Sequence, residues 1–179
     1  MIDAEAAIAR FELSTSSFLQ LLDGVSQREW QLRPAGETWS LAETVEHVVL
    51  ANRSVHAVLR QLLAAPLPAD AVRYDDAAIS SDMFATAAPP PPGAGEPKGR
   101  FTTREQGLAA LTNVRDKLIA GARETRADLR AHGLPHPVFG VFDGVQWILF
   151  AAAHTDNHLP QLRGLRAHPE LADRSSPAT

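Results

Sequence analysis

The sequence predicts an all-α protein built as a four-helix bundle with one long crossover loop. Four segments repeat apolar residues with the 3.6-residue period of a helix, and the connection between the second and the third is much longer than the other two. No run shows the sustained apolar–polar alternation that indicates strands. The 179 residues are 45% hydrophobic and 21% charged, which suits one domain with a buried core. We therefore expect a single domain over residues 1–170 and a flexible tail over residues 171–179.

The first two helices are predicted from apolar stripes and from end signals. The first covers about residues 3–23, with Gly24 as its stop. The second starts sharply, because Ser40 is a predicted N-cap and Glu43 follows three residues later, which is the pattern of a capping box. Its stripe continues to about Ala65, where prolines end it.

The crossover loop is predicted over residues 66–101, where the helical period is lost. It contains a proline-rich run over residues 89–93 that neither a helix nor a central strand tolerates. A short helix near residues 76–84 is compatible with the sequence. A structureless connection of this length is usually functional or mobile.

The last two helices flank a second, short connection. The third begins at Thr102 or Thr103 and ends near His132, and a turn with two prolines follows. The fourth begins near Asp143 and continues to about His168, carrying apolar residues and two further histidines.

Charge and composition exclude several classes of function. Lys and Arg number 17 against 21 Asp and Glu, and the resulting net charge of −4 argues against a nucleic-acid partner. The absence of cysteine excludes disulfides, thiolate zinc sites, iron–sulfur clusters and a cysteine nucleophile. The start lacks the features of a secretory signal, and the most apolar stretch, residues 145–153, is less than half of the roughly 20 residues that span a bilayer. We expect a cytoplasmic protein without a membrane partner.

His154 and His158 are candidate metal ligands. Their i, i+4 spacing places both imidazoles on one helix face, about 6 Å apart, which suits two ligands of one ion. The apolar run before them indicates a buried helix, where unpaired imidazoles would cost of order 1–3 kcal/mol each. If the second and fourth helices face each other, His47 can converge on the same ion. Three neutral imidazoles with an open position are typical of a catalytic metal site.

Neighbouring residues have alternative interpretations. Glu43 or Glu46 could satisfy the histidines through hydrogen bonds, and Glu43 could instead act only in its capping box. Gln161, one turn after His158, could contact the site. Pro160 predicts either a kink that re-aims His158 or the last tight turn of the helix.

The remaining aromatic and histidine residues are predicted away from the metal. Trp39 and Trp147 are predicted as core anchors rather than substrate platforms. His136 is predicted in a loop that could line the pocket, and His56 on another face of the second helix. His132 is predicted at a helix end, like His168.

Two blocks of the sequence resemble the DinB-like superfamily. The first is Arg33-Pro34 followed by the run that begins at Trp39 and reaches His47 eight residues later. The second runs over residues 136–161 and ends in an HxxxHxxQ pattern. The resemblance covers nearly the whole domain. It implies a four-helix bundle and a divalent metal held by His47, His154 and His158.

The resemblance also implies a range of activities. The family includes thiol-dependent transferases and isomerases that use bacillithiol, mycothiol or glutathione, and members with no known activity. Our leading hypothesis is a thiol S-transferase or hydrolase in which a zinc or nickel ion activates a low-molecular-weight thiol or a water toward a small electrophile. The alternative is a non-catalytic metal-binding or stress-associated bundle protein, and a third reading is a metal-free bundle with hydrogen-bonded histidines. A homodimer is compatible with a bundle of this size.

Overall fold

Four long helices form the bundle, as the sequence predicts. In the computed structural model they are α1 (Ala4–Gln20), α3 (Leu41–Leu62), α4 (Arg104–Glu124) and α5 (Gly144–Asn157). Helix α1 packs on α5 and α4, and α3 packs on the same two helices from the other side. The structure describes residues 1–62, 66–67, 71, 74–85, 87, 93, 95–125 and 128–172.

The helix starts follow the end signals in the sequence. Ser40 accepts a hydrogen bond from the Glu43 N–H at 3.2 Å, and the Glu43 carboxylate accepts one from the Ser40 N–H at 2.8 Å. The predicted capping box is therefore confirmed. Helices α4 and α5 begin with equivalent boxes, in which Gln106 and Gln146 take the place of the glutamate.

The core divides into two hydrophobic clusters stacked along the bundle. The first joins the start of α1 to the end of α3 and the apolar run of α5, and the second joins the end of α1 to the start of α3. Buried polar residues lie between the two clusters along their helices: Ser14, Thr15 and Asn52. The apolar stripes predicted from the sequence are thus buried, but they do not form one continuous seam.

A short helix, α2 (Gln27–Gln31), is absent from the prediction. It carries Trp30, which is fully buried and donates from Nε1 to the Phe101 carbonyl at 3.0 Å. The Trp30 ring lies against Gly107 so closely that a Cβ there would approach it to 2.4 Å. Five residues are too few to show a helical period, so this element could not be predicted from periodicity.

The prediction that the third helix reaches His132 is wrong. Helix α4 ends at Glu124, and an antiparallel hairpin of β1 (Gly133–His136) and β2 (Gly140–Asp143) follows. His132 therefore lies beside β1, in a bridge with Pro66, and not at a helix end. Four-residue strands that contain proline give no alternation long enough to recognise.

The predicted fourth helix is broken at His158. Helix α5 ends at Asn157, and α6 (Leu159–Ala167) begins beyond His158, with Pro160 in its first turn. Proline lacks an N–H and is tolerated in the first turn of a helix, so it marks a new start here. A last helix, α7 (Pro169–Ala172), buries Leu171 and so crosses the predicted start of the tail, while residues 173–179 lie outside the described residues.

The described part of the crossover contains two 3-10 helices where one short helix was compatible with the sequence. They cover Asp76–Ala78 and Ser81–Ala85. Arg130 donates to the carboxylates of both Asp76 and Asp143, at 2.7 and 2.8 Å, which fastens the first 3-10 helix to the start of α5. The four prolines of the run 89–93, like residues 63–65 at the predicted end of the second helix, lie outside the described residues. In the part of the chain that the structure describes, no helix has the length and apolar character needed to cross a membrane.

Candidate metal centre

Three histidines from two facing helices converge at one point. His47 comes from the second turn of α3 and His154 from the last turn of α5, and His158 is the single residue between α5 and α6. One ring nitrogen from each lies within 4.8 Å of the other two. The Nε2 atoms of His47 and His154 are 3.2 Å apart, and the three ring centroids lie 4.8 to 5.0 Å from one another. The structure thus brings together the three predicted ligands.

Hydrogen bonds orient two of the three rings. His47 donates from Nδ1 to the Gly95 carbonyl at 2.7 Å, and His158 donates from Nδ1 to Oε1 of Gln161 at 2.8 Å. A ring that carries its proton on Nδ1 presents a lone pair on Nε2. Both rings therefore present Nε2 as an available ligand, in the arrangement typical of histidines that hold metals.

Burial favours the neutral form of the three imidazoles. It lowers the pKa of His47, although the hydrogen bond to Gly95 opposes the shift. Burial lowers the pKa of His158 to about 4, against the opposing effect of Gln161. It lowers the pKa of His154 well below its ordinary value, and the neighbouring histidines lower it further. Only neutral imidazole binds a metal, so these shifts favour ligation near neutral pH.

The donor set fits one divalent ion. Two nitrogens held at 2.0–2.1 Å from one tetrahedral zinc are roughly 3.3 Å apart, close to the 3.2 Å between His47 and His154. Nδ1 of His154 is buried and has no hydrogen-bond partner among the described residues, so no acceptor orients this ring from behind as Gly95 and Gln161 orient the other two. Across the described ranges, no fourth His, Asp or Glu side chain joins the three. The cluster is therefore compatible with an open metal site.

Aromatic rings border the histidines on two sides. The half-buried Trp39 ring lies 4.7 Å from the ring of His47 and 6.3 Å from that of His158. On the other side, the Phe84 ring lies 5.5 Å from His154 and the Phe150 ring 6.0 Å from it. The prediction that Trp39 is only a core anchor misses this position, because the residue also forms a wall of the site. The position of Phe84 beside the site could not be predicted, because its 3-10 helix lies in the crossover, where the sequence shows no helical period.

The two glutamates near His47 have other partners. Glu43 acts in its capping box and also accepts a hydrogen bond from Arg33 Nε at 3.1 Å. Hydrogen bonds from Arg33 and Ser40 lower the pKa of Glu43 although burial opposes the shift. Glu46 is buried and accepts hydrogen bonds from the backbone of Lys98 and Arg100. The alternative in which these two carboxylates satisfy the histidines is therefore not what the structure shows.

The other histidines lie outside the cluster. His56 faces Gly121 of α4, at 3.8 Å from where a Cβ would stand, as expected for another face of α3. His136 packs its ring 4.6 Å from Phe150 and 5.2 Å from Trp147, and burial lowers its pKa to about 4. His136 therefore belongs to an aromatic cluster one side chain away from His154. Trp147, 5% exposed, is the core anchor that the sequence predicts.

Comparisons with known proteins give the family and support the fold. The family model of the DinB superfamily matches residues 10–162. The chain is 26% identical over 160 residues to YuaE, an uncharacterized protein of Bacillus subtilis strain 168, covering 84% of this chain and 91% of that one. The crystal structure of TT2238, a four-helix bundle protein, superposes with a TM-score of 0.57 at 26% identity, covering 93% of this chain and 99% of the other. The matched family and the three-histidine cluster together support a divalent metal site.

Proposed function

The chain belongs to the DinB superfamily, and from that premise we propose that it is a metal-dependent enzyme whose His47, His154 and His158 hold a divalent ion. A bound zinc or nickel ion would lower the pKa of a low-molecular-weight thiol or a water and so supply a nucleophile near neutral pH. Imidazole ligands suit both metals. The nucleophile would attack a small electrophile. In transfer, a C–S bond forms, the bond to the leaving group breaks and the thiol proton is released to solvent.

One observation carries the proposal: three neutral imidazoles converge without a fourth ligating side chain among the described residues. A closed structural site would supply four protein ligands, whereas a catalytic site keeps a position for substrate or water. The three donors carry no charge, so they leave the full positive charge of a divalent ion available to an anionic nucleophile. The chain has no cysteine, and a reacting thiol would therefore be a cosubstrate.

The chain's own residues orient the histidines around the open coordination position. Gly95 and Gln161 accept the Nδ1 protons of His47 and His158, which keeps their Nε2 lone pairs aimed at the cluster. The Trp39 ring covers the edge of the site next to these two histidines. An aromatic wall excludes water and lowers the local dielectric, which strengthens electrostatic stabilisation of a developing anion. The same wall favours electrophiles with an apolar body.

Metal content tests the proposal first. Tag-free protein should contain close to one equivalent of zinc or nickel by plasma mass spectrometry, and the variants His47→Ala and His154→Ala should lose it. His56→Ala is the matched control, because it removes a half-buried histidine from the same helix as His47 without touching the cluster. A parent protein that cannot be loaded with either metal would overturn the enzyme proposal and leave a metal-free bundle.

Activity separates an enzyme from a non-catalytic metal protein. Loaded protein should accelerate the reaction of bacillithiol, mycothiol or glutathione with monochlorobimane, in which the thiol sulfur displaces chloride, or the hydrolysis of p-nitrophenyl acetate. The His154→Ala variant should lose the acceleration. Protein that binds metal firmly but accelerates neither reaction would favour the alternative of a metal-binding or stress-associated bundle.

The proposal extends to partners and oligomeric state. We propose small-molecule thiols and electrophiles as partners in the cytoplasm, with no nucleic acid or membrane involved, and the net charge of −4 supports the first exclusion. A homodimer is proposed through α1, which exposes 68% of Leu13. Light scattering measures the mass directly, and Leu13→Glu should convert such a dimer to a monomer.

A further inference from the structure

A short segment of the crossover, residues 95–100, is fastened to α3 beside the metal centre. We call it the strap. At one end, the Gly95 carbonyl accepts the hydrogen bond from Nδ1 of His47 at 2.7 Å. At the other end, the backbone N–H groups of Lys98 and Arg100 donate to the two carboxylate oxygens of Glu46 at 3.0 and 2.9 Å. Two consecutive residues of α3 therefore have different roles: Glu46 binds the strap backbone, and His47 is the proposed metal ligand.

The two hydrogen bonds that the strap donates to Glu46 are strong, because their acceptor is a carboxylate. The carboxylate is 1% exposed, and a buried charge is costly unless hydrogen bonds compensate it. Each oxygen accepts one strap N–H, and Nε of Arg100 lies 3.5 Å from Oε1. Moving the strap away would leave this carboxylate without those partners. The closed position of the strap is therefore the one that satisfies Glu46.

The contact at Gly95 depends on glycine. Its φ of +72° lies in the left-handed region, which other residues rarely adopt. A Cβ at this position would lie 3.1 Å from both Nδ1 and Cε1 of His47, tighter than an ordinary contact. A side chain would thus either strain the strap or push the imidazole, and in both cases the hydrogen bond between the Gly95 carbonyl and Nδ1 of His47 would be disrupted.

We propose that Gly95, held in place by Glu46, is a positioning residue for the metal ligand His47. The carbonyl fixes the proton on Nδ1 and the ring plane, so that Nε2 faces the other two histidines. Metal affinity then depends on the closed strap. Because linkage is reciprocal, a bound metal stabilises the strap against opening. This inference rests on the proposed metal site, and it adds that a crossover segment controls the affinity of that site.

The test measures zinc affinity by competition with a chromophoric chelator. Glu46→Gln should weaken binding by about 10- to 100-fold, because an amide offers a single acceptor oxygen to two N–H donors. Gly95→Ala should weaken it by a similar factor. The matched controls are Glu43→Gln, the same change one turn earlier without strap contact, and Gly24→Ala, which has a φ of +68° but no atom within 4 Å of the added Cβ. Both controls should stay within about threefold of the parent chain.

A second measurement follows the strap itself. Amide hydrogen exchange at Lys98 and Arg100 should slow by at least about tenfold when zinc is added to the parent chain, and this slowing should disappear in His154→Ala, which leaves the strap contacts in place.

The outcomes separate this inference from the proposed function. A parent chain that binds zinc, with Glu46→Gln and Gly95→Ala binding equally well, would overturn the strap inference and leave the metal site standing. Equal losses in Glu43→Gln and Glu46→Gln would also overturn it, because they would indicate general destabilisation. A parent chain that binds neither zinc nor nickel would overturn both.

Discussion

Gln161 holds His158 by a 2.8 Å hydrogen bond across the break between α5 and α6. The acceptor is the Oε1 atom of Gln161, in the first turn of α6, and the donor is the residue at which α5 ends. The two residues are three positions apart, a spacing at which side chains on one helical face meet. The first turn of α6 therefore orients the ring of one candidate metal ligand.

Removing this acceptor should weaken metal binding without unfolding the chain. We expect Gln161→Ala to raise the dissociation constant for zinc by about 10- to 100-fold, the usual effect of losing a partner of a ligating histidine. Gln161→Glu keeps an acceptor and should bind at least as tightly as the parent chain. Chelator competition measures both, and equal affinities in all three proteins would refute the role of Gln161.

The metal-free protein should lose stability as the pH falls from 6.5 toward 4. The unfolded chain protonates its histidines near pH 6.5, whereas burial lowers the native pKa of His158 to about 4. The unfolded state then binds more protons through this window, so acid favours unfolding. His158 alone accounts for about 3 kcal/mol at 1.36 kcal/mol per pKa unit, with no further loss below its native pKa.

Urea unfolding in the presence of a chelator, at several pH values across this window, measures the loss. His158→Gln carries no titrating group and should show a shallower pH dependence than the parent chain. An unfolding free energy that stays flat between pH 6.5 and 4 would contradict the burial of neutral imidazoles.

Nickel should quench the fluorescence of Trp39 more than that of the other tryptophans. The Trp39 ring lies 4.7 Å from the ring of His47, while Trp30 donates its Nε1 proton to Phe101 in the core away from the cluster. Trp39→Phe should therefore lose most of the quenching upon titration with nickel, and Trp30→Phe should retain it. The reverse pattern would show that Trp39 does not border the metal.

Arg130 should be among the most important charged residues for stability. Burial on its own would raise the pKa of Asp76, but hydrogen bonds from Arg130, the Ile2 N–H and Gln146 lower it to about 2. Arg130 also donates to Asp143, whose side chain is 1% exposed. Arg130→Met leaves both carboxylates without this partner, and we expect a loss of about 3–5 kcal/mol in the free energy of unfolding.

The matched control is Arg123→Met, on the surface of α4. Arg123 pairs with Glu5 and Glu12 at 3.3 and 3.5 Å while half exposed, and such pairs contribute less than about 1 kcal/mol. Urea unfolding near neutral pH compares the two variants. Similar losses in both would show that the pairs of Arg130 are no stronger than those of a surface residue.

Asn52→Leu should stabilise the protein. Asn52 is fully buried on α3 between the two hydrophobic clusters, and neither of its amide atoms has a hydrogen-bond partner among the described residues. A buried amide without partners costs about 1–3 kcal/mol, and leucine has the same number and branching of side-chain heavy atoms, so we expect a gain within that range. Thr155→Val is the control, because the Thr155 hydroxyl donates to the Ala151 carbonyl at 2.9 Å and its removal should give no gain. A destabilised Asn52→Leu variant would show that the amide is satisfied.

Much of the fold and the ligand set could be predicted because they depend on local patterns. The apolar stripes of the four long helices and the capping box of Ser40 and Glu43 are properties of residues three or four positions apart. His154 and His158 are also four positions apart, so the sequence alone predicts that they share one helix face. Short elements, such as α2 and the proline-containing hairpin, could not be predicted, because they contain too few residues to show a period.

By itself, the sequence determined the four long helices of the bundle, the faces they bury and the histidines that are available. Only the tertiary structure decided which atoms of those histidines face one another as candidate ligands. The ring of His47 is oriented by a backbone carbonyl 48 residues away, and the buried Glu46 is satisfied by backbone N–H groups 52 and 54 residues away. Every residue carries a carbonyl and nearly every one an N–H, so such partners leave no mark in the sequence. They are selected only when the packed helices bring the crossover back onto α3.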